Sequence, residues 1–290
     1  MGPLPSFINL CRWSLPELEL NLCVVVLKRR YSARTTLEIA SLTDLNIDHQ
    51  IFLFDFATGR EVRIMPQTLA CIHTSMVFIN VETMMNDIFK EIMPNVRRIN
   101  IVDDSLLADV MAAGKITQPV TKRMCAYVQA AEESGADAIL SLCSSLGPTI
   151  DIARPLVNIP VIKIDDPMAE EAARSAKRIG VMATVLTTLA PTVDLIRSKA
   201  TAINKELQIE PALVEGAFQI LMSGDRDRHD RMVAEAAQKL ATKVDIIVLA
   251  QASMTRLVPS LNQKTGLRVL SSPRLAIEYT AKILDSLTKH

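Results

Sequence analysis

Cys143 is the residue in this 290-residue chain best placed to do chemistry. It closes an apolar run, 138–142, and is followed by Ser144 and Ser145. That pattern predicts a strand that ends in a helix-opening turn, where the helix N-terminus is expected to acidify a thiol. A thiolate there can remove a proton or attack carbon. The competing reading is a buried, inert cysteine, and position alone does not choose between them. Cys71, inside a strand, and Cys125, on a helix, read as packing residues.

His73, Thr74 and Ser75 close an earlier predicted strand. His73 could orient the Cys143 thiol or polarise a substrate oxygen, or it could be a hydrogen-bonded structural histidine. Thr184, Thr187 and Thr188 follow a later strand, where hydroxyls and turn amides could hold a carboxylate; helix capping is the alternative. Asp165-Asp166-Pro167 reads first as an N-cap with proline in the first helical turn, and a catalytic carboxylate is the other reading. Asp103 and Glu215 sit at strand ends and could equally cap helices. The run 225–231 alternates charges as a solvated surface does.

Several chemistries are excluded. The nine glycines, about half the usual usage, never form G-x-G, so neither a dinucleotide fingerprint nor a phosphate loop is present. His49, His73, His229 and His290 form no H-x-H or H-E-x-x-H pair, and no metal or other cofactor is expected. Five scattered cysteines without C-x-x-C fit a reducing compartment, and the expected location is the cytoplasm. Lys plus Arg (32) balances Asp plus Glu (32), which argues against nucleic acid, as does an aromatic content of 4%. No apolar run reaches the length of a membrane span.

The elements that must position these residues begin at about residue 68. Strands are expected at 68–73, 97–102, 137–142, 161–164, 178–183, 210–214, 245–250 and 268–270, with helical periodicity between them, as in 120–133 and 228–242. Alternating strands and helices predict βαβ units and parallel sheets. The runs 138–142 and 246–250 are apolar without alternation, as strands covered on both faces should be. Residues 1–66 show no sustained period and read as a poorly ordered extension or a start-site artefact. The apolar run 20–27 precedes Lys28-Arg29-Arg30, the reverse of a secretory signal. Glu17 and Glu19 oppose a mitochondrial presequence, although Arg30-Tyr31-Ser32 leaves import directed by residues 1–34 as an alternative.

The region from 68 onward repeats itself at an offset of 108 to 112. Asp137 through Cys143 to Ser145 matches Asp245 through Gln251 to Ser253. Residues 159–162 match 267–270, residues 71–74 match 181–184, and Val102-Asp103 matches Val214-Glu215. Such ordered agreement indicates duplication. The expected architecture is α/β: two pseudo-symmetric Rossmann-like lobes, 67–176 and 177–290, with the C-terminal helix free to cross over. Each lobe has a four-stranded, mainly parallel sheet, and the active site lies in the cleft between them. Cys143 and Gln251 are then expected to face each other, with Thr74 and Thr184 as a second related pair.

Two βαβ halves, C-S-S at 143–145 and L-A-Q-A-S-M at 249–254 resemble the aspartate/glutamate/hydantoin racemase superfamily over about residues 68–288. The resemblance implies a cofactor-independent reaction in which two cysteines, one per half, flank the α-carbon of a substrate. One removes its proton and the other returns a proton to the opposite face. Cys143 falls on the first cysteine. Ala183-Thr184-Val185-Leu186-Thr187 resembles the carboxylate-binding turn. The second cysteine falls on Gln251, which cannot exchange a proton at neutral pH.

The resulting expectation is a racemase or isomerase-type enzyme acting beside a carboxylate or amide carbonyl of an amino acid, hydantoin or related small acid. Cys143 is the acid/base or nucleophile, with Gln251 and His73 as further catalytic residues. Thr74, Ser75, Ser144, Ser145, Thr184, Thr187 and Ser253 hold the substrate. A single-thiol decarboxylase or carbon–carbon lyase is the first alternative, and a non-catalytic small-acid-binding protein the second. The partner is a small carboxylate, with homo-oligomer formation left open.

Overall fold

The computed structural model describes residues 66–76 and 84–287 in full, and gives strand pairing at 11–15, 20–26, 51–55 and 60–63. The chain divides into two compact units, 1–66 and 67–290. In the first, β1 (Cys11–Leu15), β2 (Leu20–Val26), β3 (Ile51–Asp55) and β4 (Arg60–Arg63) pair antiparallel in that order. The sequence predicts no elements there, because no amphipathic helical period alternates with its short apolar runs as it does after residue 68. The expectations for Glu17, Glu19 and 28–32 lie outside the described residues.

The second unit contains two parallel four-stranded sheets. The first is ordered β6-β5-β7-β8, from β5 (Thr68–His73), β6 (Arg97–Val102), β7 (Ala138–Ser141) and β8 (Val161–Lys163). The second is ordered β10-β9-β11-β12, from β9 (Arg178–Ala183), β10 (Gln208–Leu213), β11 (Ile246–Leu249) and β12 (Arg268–Ser271). Strand order is the same in both, so the sequence repeat is a repeat of topology. The central strands β5, β7 and β11 are buried along their whole length, whereas the edge strands β6 and β10 are partly exposed. Pro211 is tolerated in β10 because an edge strand needs to pair on one side only.

The matched aspartates explain part of the repeat. The N–H of Thr68 donates to Asp137 Oδ2 (2.7 Å), and the N–H of Asp137 returns a bond to Thr68 O (2.7 Å). In the other half the N–H of Arg178 donates to Asp245 Oδ2 (2.9 Å), and the N–H of Asp245 donates to Arg178 O (2.8 Å). Each aspartate thus registers the start of its third strand against its first.

Helices cover both faces of each sheet. On the first sheet, α2 (Ser105–Ala113), α3 (Gln118–Glu133) and α4 (Gly147–Ala153) bury Leu106, Met124 and Ile150 against Ala70, Ile72 and Ile139. The opposite face is covered by α1 (Met84–Ile92) and by the last helix of the chain. On the second sheet, α8 (Arg226–Ala241) and α9 (Val258–Thr265) pack on Met182, Ile247 and Leu249, with α7 (Ala217–Met222) beside them. The helices that follow the two fourth strands are exchanged. α5 (Asp166–Ser175) packs Met168, Ala169 and Ala172 against Ile179 and Val181 of the second sheet, beside α6 (Leu186–Ala202). α10 (Ser272–Leu287) packs Ala276, Ile277 and Leu284 against Leu69, Cys71 and Ile162 of the first. This exchange ties the halves into one compact unit.

Gly180 sits in β9 where α8 approaches most closely: a Cβ there would lie 2.6 Å from Leu240 Cδ2 and 2.8 Å from its Cγ. Leu240 is itself in a filled core and cannot swing aside freely. Gly180→Ala is therefore expected to cost about 1–3 kcal/mol of stability, measurable as a lowered denaturant midpoint at unchanged slope.

Candidate active site

Cys143 and Gln251 occupy equivalent backbone positions. Cys143 leaves β7 in an extended conformation (φ −142°, ψ 114°) and opens a 3₁₀ turn, Ser144–Leu146. Gln251 leaves β11 at φ −125°, ψ 129° and opens the 3₁₀ turn Ala252–Leu257. The threonines that follow the first strand of each half serve them in parallel ways. The hydroxyl of Thr74 and the N–H groups of Ser145 and Leu146 hydrogen-bond the Cys143 sulfur. Gln251 Oε1 accepts from the Thr184 N–H (2.5 Å), the Thr184 hydroxyl (3.0 Å) and the Val185 N–H (3.2 Å). The donors expected to hold a substrate carboxylate in the second half are thus engaged by the Gln251 side chain.

The expectation of an acidified thiol is corrected by the structure. Burial pushes the Cys143 thiol up; the Thr74 hydroxyl and the two turn amides oppose that, while the Asp165 charge adds to it. Three donors around the sulfur do not outweigh its desolvation. The thiol is protonated at rest, and the same donors are in place to receive charge when it forms.

The two halves meet directly beside the thiol. Ser145 Oγ lies 3.4 Å from Thr187 Oγ1 and 3.2 Å from Thr188 Oγ1, at the start of α6. Pro191 within α6 removes the N–H that would otherwise bond the Thr187 carbonyl. Ser75 and Ser253 are half-buried, the first just beyond β5 and the second inside the turn opened by Gln251. Ser144 is buried and its hydroxyl faces Asp165.

His73 is not brought to Cys143. It shares the face of β5 that carries Leu69 and Cys71, and it lines a cavity with Leu142, whereas Cys143 packs toward Ala70 and Ile72 on the other face.

Asp165 is the residue that the sequence reading undervalued. It stands at the N-cap of α5 yet its side chain accepts no capping hydrogen bond. It is 2% exposed, and its Oδ1 has no hydrogen-bond partner among the described residues. Burial, then the neighbouring Asp166 charge, push its carboxyl up to about 6, with Lys163 and the Ser144 hydroxyl opposing. For Asp166, burial is outweighed by Lys163, Lys199 and Arg154, which hold it below the usual carboxylate range. Lys199 Nζ and Arg154 Nη2 lie 3.0 and 2.5 Å from its oxygens. Of two adjacent carboxyls, one is committed to a charge network and the other is left near the thiol with a proton it can lose near neutrality. The clue in the sequence is that Asp165-Asp166-Pro167 is matched by Ser271-Ser272-Pro273, so the carboxyls belong to the cysteine-bearing half alone.

A carboxyl raised in the folded state favours folding below its unfolded value, near 4, and that contribution is lost as pH rises through about 6. Asp165→Asn should match the wild type in stability near pH 4 and exceed it by up to about 3 kcal/mol at pH 7.5. Denaturant midpoints across that range check it; a constant difference at every pH contradicts it.

Among the described residues no group of three or more His, Cys, Asp or Glu side chains could hold a metal ion, and no helix is long and apolar enough to cross a membrane. A family model, Asp/Glu/hydantoin racemase, matches residues 79–280. No curated protein sequence matches the chain. Among solved structures, a glutamate racemase isoform from Bacillus anthracis superposes with a TM-score of 0.63 at 15% identity, over 77% of this chain and 83% of that one. An allantoin racemase from Klebsiella pneumoniae gives 0.56 at 15% identity, over 77% and 88%. A mutant of arylmalonate decarboxylase gives 0.51 at 12% identity, over 75% and 93%. At these identities the likeness is one of fold.

Proposed function

Because the chain belongs to the Asp/Glu/hydantoin racemase family, we propose that it is a cofactor-independent isomerase-type enzyme that moves a proton at the carbon next to a carboxylate or amide carbonyl, with Cys143 as its one catalytic thiol. Family membership supports the isomerase class. The observation that carries the finer reading is the setting of Cys143, a protonated thiol ringed by the Thr74 hydroxyl and two turn amides, with Asp165 beside it.

In this reading Asp165 accepts the thiol proton as substrate binds and stays close as a neutral carboxylic acid. The thiolate, stabilised by Thr74 and the amides of Ser145 and Leu146, takes the α-proton. The electron pair of the broken C–H bond moves into the adjacent carbonyl, and fixed donors aimed at it lower the cost of that enolate. Ser145, Thr187 and Thr188, now hydrogen-bonded to one another, are the hydroxyls that a substrate carboxylate would take over, with Thr74, Ser75, Ser144 and Ser253 around them. Gln251 holds the second half of the site in shape through Thr184 and Val185 and exchanges no proton itself. His73, on the far face of the sheet, has no part in these steps. The substrate class is a small amino acid, hydantoin or related acid.

One observation favours a second reading. With a single proton carrier that rests as a thiol, the site suits delivery of a proton to one face. A decarboxylase or carbon–carbon lyase breaks a C–C bond, leaves its electron pair as an enolate and takes the thiol proton onto carbon. Incubation of the full chain with amino acids, hydantoins and substituted malonates separates the readings. In deuterated water, uptake of deuterium at the α-carbon without gas release supports the first reading, and release of carbon dioxide supports the second. Neither change with any substrate, together with saturable binding, indicates a binding protein and contradicts both.

A further inference from the structure

Three donors converge on one atom just beyond the end of β9. The Thr184 N–H, the Thr184 hydroxyl and the Val185 N–H all donate to Gln251 Oε1, at 2.5, 3.0 and 3.2 Å. They fix the orientation of the carboxamide, because turning it over would set its N–H groups against theirs. A neutral carbonyl oxygen has two lone pairs, so a third donor exceeds what it can fully use. A carboxylate oxygen uses such donors better, because hydrogen bonds to a charged acceptor are the stronger ones. Val185 is also the N-cap of the 17-residue α6, whose positive end lies beside the cradle. In the other half the equivalent threonine, Thr74, donates to the Cys143 sulfur, an atom that carries charge when it ionises. Gln251 thus puts an uncharged oxygen where a charged one would fit.

The neighbouring groups do not replace the cradle for an anion. The hydroxyls of Ser145, Thr187 and Thr188 serve a charged or an uncharged oxygen alike. The cations near Asp165, which are Lys163, Lys199 and Arg154, are paired with Asp151 and Asp166. Gln251 is itself partly exposed, so removing its side chain opens the three donors to solvent.

We propose that Gln251 is a specificity-determining residue: it fills, as an internal ligand, a cradle that would otherwise take a carboxylate, and so closes the second half of the site to a free carboxylate. A substrate carboxylate is then met by the hydroxyls of Ser145, Thr187 and Thr188 alone. The proposal rests on the reading that the active site lies at Cys143, between the two halves, but the cradle can be tested without turnover.

Nitrogen–proton NMR of the full chain, with acetate and acetamide as probes, makes that test. In the wild type neither probe should move the Thr184 and Val185 amide signals saturably. In Gln251→Ala acetate should move both saturably, and acetamide, its uncharged counterpart, should bind about tenfold more weakly. A side chain that only braced the ends of β9 and β11 would leave no such preference for the charged probe. Should Gln251→Ala not fold, Gln251→Ser, which keeps a short polar group at the turn, must show the acetate shifts instead. The proposal is overturned by any of three results: saturable acetate shifts of these two signals in the wild type, no acetate shifts in the folded variant, or equal affinity of that variant for acetate and acetamide. A failure of α-hydrogen exchange with every substrate would remove the reaction assigned to Cys143 and leave these binding outcomes as they stand.

Discussion

Cys143→Ala is expected to abolish turnover, with a loss on the order of a thousandfold or more if the thiol is the only proton carrier. The fold should survive. Cys143 lies beyond the end of β7 at the margin of the core, and truncating its small side chain leaves the strand ladder in place. Serine should fail as well, because a hydroxyl in a site that already disfavours the thiolate is still less able to carry the charge. Steady-state rates beside thermal denaturation midpoints check this. An inactive protein that melts with the wild type is the expected pair of results.

Gln251→Cys should produce the largest gain. It empties a cradle of three donors, the Thr184 N–H, the Thr184 hydroxyl and the Val185 N–H, and puts a sulfur at its edge. The new thiol would have the same kind of donors that Cys143 has. It would share the burial that chiefly raises Cys143 but lack the Asp165 charge that adds to it, since Ser271-Ser272-Pro273 replaces Asp165-Asp166-Pro167 in that half. It should therefore ionise at lower pH than Cys143, visible as a second, earlier step in the pH dependence of alkylation. With a proton carrier on each side, exchange limited to one face should become racemisation. Product enantiomer ratios measure that outcome. A variant that keeps the wild-type ratio on a substrate the enzyme turns over would show that the second half does not face the reacting carbon.

The sequence displayed more of the fold than of the site, for physical reasons. Strand alternation, buried apolar runs and the repeat all follow from local pattern, and they located both sheets and paired Cys143 with Gln251. Of the exchange of α5 and α10, only a crossing C-terminal helix was allowed for, because a helix's apolar stripe does not say which sheet it covers. His73 was expected beside Cys143 because both sit at strand ends, but side chains alternate along β5 and His73 points with Cys71 to the far face. The state of the thiol was misjudged because a turn's N–H groups can be inferred from sequence and desolvation cannot. Asp165 looked like a cap because Asp before Asp-Pro usually is one; only its burial and the unpartnered Oδ1 set it apart.

The central claim is that Cys143 moves a proton at the carbon beside a carboxylate or amide carbonyl. The most direct measurement is α-hydrogen exchange in deuterated water, followed by proton NMR for a panel of amino acids and hydantoins. The wild type is predicted to wash deuterium into the α-position of at least one of them. Cys143→Ala is predicted to leave that signal unchanged over the same period. Exchange that persists undiminished in Cys143→Ala would contradict the account.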